Sequence, residues 1–375
     1  MYDAHVKQGS NQSSTKIEEL ESIRGLAALL VVFFHIPKWN SLLDIGIINN
    51  GYLMVELFFV LSGFVIYNAY AKKIISTKDL IRFQFLRFGR LYPVHLLFLV
   101  VYIFIEVAKY FAQYKFGISS PNSQPFLENN LAALFQHIFL IQAIGPTGND
   151  LTFNGPAWSI SVEFFTYLLF GVGVLFFHKN KEFFFSVLAL ISLLMLTTET
   201  TFGFSSLVRC FAGFFIGCLT ANIIGKSSTT VPSYISLLIF VAIFFFLQIK
   251  TPHEYDLMIY FLSSTLIASL VLSKQGLLKK ILNLKILTWL GSISYAVYMS
   301  HSSIIWVMNQ VVRIILKKPE LIIDGQSIPQ LSEIDTLIGW ILIVVLVLLV
   351  SKFVLHFIEK PLRKKSRHFA FTKLN

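Results

Sequence analysis

The stretch "SIRGLAALLVVFFH", Ser22 to His35, is a long apolar run with an arginine near one end and a histidine at the other. Its composition suits a helix in a bilayer, where an ionisable side chain costs about 3 kcal/mol near the centre. Both polar residues therefore need a reason to be there. Arg24 and His35 are eleven residues apart, which at ~100° per residue is about three turns plus ~20°. They point the same way, ~16 Å apart along the axis. Upstream, "TKIE" from Thr15 to Glu18 fits a capping box and sets the helix start ahead of the apolar run.

The whole chain supports a membrane reading. Of its 375 residues, 55% are hydrophobic and 14% charged, with a mean hydropathy of +0.70, outside the balance of soluble domains. Phenylalanine dominates the aromatic residues, which suits lipid-facing and helix-packing surfaces. The net charge of +11 sits in short clusters between apolar runs, so it reflects topology and gives no reason to expect nucleic acid. Cys210 and Cys218 share one apolar segment at a spacing that fits neither a zinc site nor a disulfide framework, so no metal is expected. The N-terminal "MYDAHVKQGSNQSST" is polar with no apolar core, unlike a secretory signal.

A helix needs about 20 mostly apolar residues to cross a bilayer. Ten stretches meet or approach that, at 17–36, 52–71, 91–112, 157–177, 182–198, 205–223, 233–249, 256–272, 288–316 and 335–358. An eleventh, Leu131 to Gly145, is too short to span and reads as re-entrant or interfacial. Lys72, Lys73, Lys78, Arg82, Arg87 and Arg90 make the loop between spans two and three cytoplasmic, and the alternation then places both termini inside. Arg313, Lys317 and Lys318 dissent from that order. The predicted fold class is all-α: a polytopic membrane protein of about ten transmembrane helices plus one short re-entrant or interfacial helix. Residues 1–14 form a polar cytoplasmic N-terminus, 15–360 the transmembrane domain and 361–375 a basic cytoplasmic tail.

Depth arithmetic from these spans brings distant residues to one level. Glu56 enters ~8 Å below the outer start of span two, with Ser62 deeper, and Glu163 lies about two turns into span four. In span nine, Ser294, Tyr298 and His301 share a face, with His301 ~20 Å along the helix. His35, Glu56, Glu163 and His301 thus fall in one layer of the outer half of the membrane, and intramembrane ionisable groups default to function. A carboxylate beside a histidine fixes its tautomer and raises its basicity, which prepares a general base. The alternative for each acid is a structural ion pair, with Arg209 as partner. At the inner surface, the arginines of "RFQFLRFGRLYP" suit phosphates, or simple anchoring to the inner face.

These residues also form a recognisable series. "ELESIRGLAALLVVFFH" resembles the opening motif of the acyltransferase family 3 membrane proteins, with Glu21, Arg24 and His35 in the matching places. "GYLMVELFFVLSGFVI", "LRFGRLYP", "WSISVEFF", "GSISYAVYMSH" and "IEKPLRK" follow in family order, covering about residues 17 to 365. Two departures stand out. Phe164 replaces the second of two acids common after "WSxSVE", and the paired arginines before the tyrosine-proline motif are split as Arg87 and Arg90. The chain looks like the stand-alone form, without the soluble hydrolase-like domain that many relatives carry.

The resemblance implies transfer of an acyl group, most often acetyl from acetyl-CoA, to a sugar hydroxyl of a surface glycan such as lipopolysaccharide O-antigen, or of its lipid-linked precursor. Acyl-CoA is then a substrate, no cofactor is bound, and the location is the bacterial inner membrane. On this reading Arg24, Arg87 and Arg90 hold the CoA phosphates, and His35 is a general base or is itself transiently acylated. Glu163 or Glu56 orients His35, while His301, Tyr298 and Ser62 bind the acceptor or the oxyanion. The rival class is a polytopic transporter of an anionic solute or glycan precursor, with the same groups relaying protons.

Overall fold

The computed structural model describes residues 17–372 apart from 119, 250–252 and 324, so the polar N-terminus and Thr15 of the capping box lie outside the described residues. The helices are α1 Glu18–His35, α2 Gly46–Asn49, α3 Met54–Tyr70, α4 Thr77–Phe116, α5 Leu131–Ile138, α6 Trp158–Phe176, α7 Lys181–Thr197, α8 Ser205–Lys226, α9 Ser233–Ile249, α10 Met258–Leu272, α11 Leu277–Leu282, α12 Lys285–Gln310, α13 Glu333–Val354 and α14 Lys360–Thr372. Between α12 and α13, β1 Glu320–Ile323 pairs antiparallel with β2 Gln326–Pro329. Gly325, at φ +76°, supplies the left-handed residue at that turn.

Each of the ten apolar stretches forms a helix, and among the described residues six helical segments are long and apolar enough to cross a membrane. The molecule is an all-α membrane protein. Ten spans is the expectation from sequence, against six segments that meet both length and composition among the described residues. The eight-residue α5 is too short to cross.

The sequence reading of residues 77–90 as loop needs correction. They are the first part of α4, whose 40 residues make ~60 Å of helix, twice the ~30 Å hydrocarbon core. Ser76 caps its start by accepting from the Asp79 amide at 3.2 Å. The extra length is covered by α14, which runs antiparallel along it. Phe85 meets Phe369 at 5.3 Å between ring centroids, Gly89 faces Ser366, and Arg82 lies 5.4 Å from the Phe371 ring. The basic segment read as a tail therefore folds back on α4 as a helix through Thr372.

Lipid offers no hydrophobic drive between helices, so small residues and close contact must hold them together. A Cβ on Gly25 would lie 2.6 Å from the Gly291 amide nitrogen, so α1 and α12 meet where neither has a side chain. Ten residues further along each helix stand His35 and His301. The two helices run parallel and in step from the glycine contact to the histidine contact. A second close approach seats α8 on α3, where a Cβ on Gly217 would lie 2.8 Å from the Phe64 nitrogen. Phe83, Phe170, Phe185, Phe214 and Phe215, all buried, interlock among α4, α6, α7 and α8 with ring centroids 5.2 to 5.9 Å apart. Both cysteines are buried in α8 as free thiols.

Candidate active site

A cavity of about 90 Å³ opens between α1, α3, α4, α6 and α12. Arg24 and Arg90 line it together with Ser62, Ser159, Glu163, Tyr167, Ser294, Tyr295 and Tyr298. Arg24 pairs with Glu21 at 3.1 Å, one turn back on its own helix. Arg90 is within Coulombic reach of Glu359, Glu21 and Glu163. Pro93 follows one turn after Gly89 and cannot donate to its carbonyl. Tyr295 of α12 donates to the Leu91 carbonyl at 2.6 Å and ties α12 to α4 at this level.

Midway along the cavity, Glu163 Oε1 accepts hydrogen bonds from the hydroxyls of Ser62 and Tyr167, each at 2.5 Å. Those two hydroxyls are 2.8 Å apart. Tyr167 is four residues after Glu163 on one face of α6, a spacing that makes it readable in the sequence as a partner. Above this cluster Ser159 donates to the Tyr298 hydroxyl at 2.9 Å, and Tyr298 donates to the Pro156 carbonyl at 3.0 Å.

One turn beyond Tyr298 stand the two histidines. Their ring centroids are 4.8 Å apart, and the Tyr298 ring is 5.9 Å from that of His301. His35 Nδ1 lies 2.8 Å from the Val31 carbonyl and His301 Nδ1 lies 3.3 Å from the Val297 carbonyl, in each case four residues back. A carbonyl only accepts, so both Nδ1 atoms carry the proton and both Nε2 atoms keep their lone pair. His35 is exposed at the end of α1, whereas His301 is fully buried and its Nε2 has no protein partner. The arrangement sets one exposed histidine beside one enclosed one.

The layer inferred from depth is only partly assembled. Neither carboxylate hydrogen-bonds His35; the backbone of α1 fixes its tautomer instead, because Glu163 is engaged by Ser62 and Tyr167 and Glu56 by Arg209. Arg209 Nε donates to Glu56 Oε1 at 2.7 Å, a second guanidinium nitrogen meets the same oxygen, and the guanidinium lies 4.7 Å from the Trp158 ring. This is the ion-pair alternative raised for the acids. Replacing Glu56 by glutamine strands that arginine and is expected to cost about 3 kcal/mol, read as a lower unfolding temperature in detergent; an unchanged temperature would show that the pair contributes nothing. Arg87, grouped with the donor-binding arginines, donates to the Tyr70 hydroxyl at 3.2 Å and lies outside the cavity lining. Tyr167, Tyr295 and Ser159 join the site although sequence reasoning assigned them no role.

A family model described as an acyltransferase domain matches residues 17–356. The chain belongs to this acyltransferase family. The acyltransferase is 35% identical to "Protein 2 in picA locus" of Rhizobium radiobacter over 38% of its own length and 75% of that protein. It is 30% identical to Acyltransferase MdmB of Streptomyces mycarofaciens over 41% of its length and 38% of that protein. Against the Peptidoglycan O-acetyltransferase OatA of Listeria monocytogenes the identity is 24%, over 82% of the chain and 52% of the relative. No solved structure matches. The membrane protein is therefore an enzyme that transfers acyl groups.

Proposed function

We propose that this enzyme transfers an acetyl group from acetyl-CoA on the cytoplasmic side to a hydroxyl of a cell-surface polysaccharide, such as O-antigen, or of its lipid-linked precursor. The observation that supports this reading is a cavity lined by two arginines, Arg24 and Arg90, with the His35–His301 pair beside its Tyr298 though outside the lining itself. With the basic loops and both termini inside, the arginine end faces the cytoplasm of an inner membrane.

The chemistry follows from this polarity. The guanidinium groups hold the CoA phosphates, and the pantetheine arm extends along the cavity to bring the thioester beneath the histidines. His35 Nε2 takes the proton of the acceptor hydroxyl as its oxygen attacks the thioester carbonyl. The carbonyl–sulfur bond then breaks, and the proton passes to the departing CoA sulfur. Tyr298 donates to the developing oxyanion after exchanging its Pro156 contact. His301 positions the His35 ring. The Glu163–Ser62–Tyr167 cluster lines the channel below, where it guides the donor and leaves the histidine's tautomer to the α1 backbone.

The test is chemical. Envelope polysaccharide from cells with the gene is expected to release acetate under mild alkali, and polysaccharide from cells without it to release less. Equal release from both would overturn the proposal.

A further inference from the structure

The histidine pair is the inner end of a longer row of rings. From His301 the centroid steps run 4.8 Å to His35, 4.9 Å to Phe34, 5.6 Å to Tyr52 and 6.1 Å to His253. Exposure varies along it: His301 is 0% exposed and Phe34 37%, Tyr52 is partly buried, and the His253 side chain is 85% exposed. The row is assembled from α12, the end of α1, the turn before α3 and the turn before α10, so it does not belong to one helix. At its outer end the Tyr52 hydroxyl donates to both oxygens of Asp256, at 3.1 and 3.0 Å. His253 Nδ1 is 3.1 Å from the same hydroxyl and 3.4 Å from the carboxylate.

Resting on the acetyltransferase reading, we propose that Phe34, Tyr52, His253 and Asp256 form an acceptor subsite for a neutral sugar residue, whose neighbouring residue presents its hydroxyl to His35. A pyranose has one apolar C–H face and a rim of hydroxyls. Aromatic rings match the face, while a carboxylate and an imidazole match the rim, which is the usual composition of a polar small-molecule site. Asp256 repels phosphate, so a phosphorylated headgroup is disfavoured where the row ends. An interfacial aromatic belt, the other use of such rings, does not account for a carboxylate and two hydrogen-bonding partners at the tip, nor for a row that starts at the reacting nitrogen.

The probe is the cell's own envelope polysaccharide, stripped of acetate and cut to oligosaccharides, offered to the full chain in nanodiscs. Tyr52→Leu, Asp256→Asn and His253→Ala are each expected to raise KM for the oligosaccharide by roughly tenfold, as loss of one good contact does, with KM for acetyl-CoA unchanged. His253 is exposed, so its variant guards against misfolding. Saturation-transfer NMR provides a readout without turnover: the wild type passes magnetisation to sugar C–H protons, and the Tyr52 variant does not. Unchanged acceptor KM in all three variants overturns the subsite, as does a parallel rise in KM for acetyl-CoA. If the wild type binds the oligosaccharide through Tyr52 yet transfers no acetyl group, the acetyltransferase reading fails and the sugar site stands. If the wild type does not bind it, the sugar site fails.

Discussion

His35→Ala is expected to lower acetyl transfer by at least 10²- to 10⁴-fold, the range that a positioned general base contributes, while the protein still accumulates in the membrane. The argument is geometric. His35 is exposed at the end of α1 and its Nδ1 is committed to the Val31 carbonyl, which leaves Nε2 as its base. Removing the ring deletes that nitrogen but little packing, because the tight contact between α1 and α12 is made at Gly25 and Gly291. The stability change is therefore expected to stay under about 1 kcal/mol. His301→Ala tests the support. If the two rings act as a unit, the double variant loses little more than His35→Ala alone, since groups that act together are non-additive. Acetyl incorporation by membranes normalised to protein content measures this; retained transfer in His35→Ala would remove the base assignment.

Arg90→Gln carries the second large effect. Arg90 lines the cavity with Arg24 and has Glu21, Glu163 and Glu359 within Coulombic reach. On the proposed reading a bound CoA phosphate would make charge-assisted hydrogen bonds to it, each worth about 1.5–3 kcal/mol, which is roughly 10- to 100-fold in affinity. Losing them is expected to raise KM for acetyl-CoA by about that factor, with a smaller change in kcat. Arg90→Lys keeps the charge but loses the planar fork and falls between. Arg87→Gln, outside the cavity lining and turned to Tyr70, is expected to change KM less. Steady-state kinetics over a range of acetyl-CoA concentrations reads all three; an unchanged KM in Arg90→Gln would move the donor site elsewhere.

Much of this was legible in the sequence because membrane helices announce themselves by length and composition. All ten apolar stretches became helices, and the shared face of Arg24 and His35 follows from helical periodicity alone. Partnerships were harder to read, because side-chain depth fixes a level but not an azimuth. Glu56 and Glu163 were placed at the level of His35, yet α8 presents Arg209 to the first and α3 presents Ser62 to the second. The meeting of His35 with His301 depends on a glycine contact ten residues earlier on each helix, between segments far apart in the chain. The basic stretch before Pro93 was read as loop because its charges outweigh its apolar face. Only its packing against α14 shows why it is helical.

The most direct test of acetyl transfer across the membrane uses sealed proteoliposomes with labelled acetyl-CoA on the arginine side and de-O-acetylated envelope polysaccharide on the other. The expected result is alkali-labile label on the polysaccharide with the wild type and none above background with His35→Ala. Label that fails to cross with the wild type, or crosses equally well with His35→Ala, would contradict it.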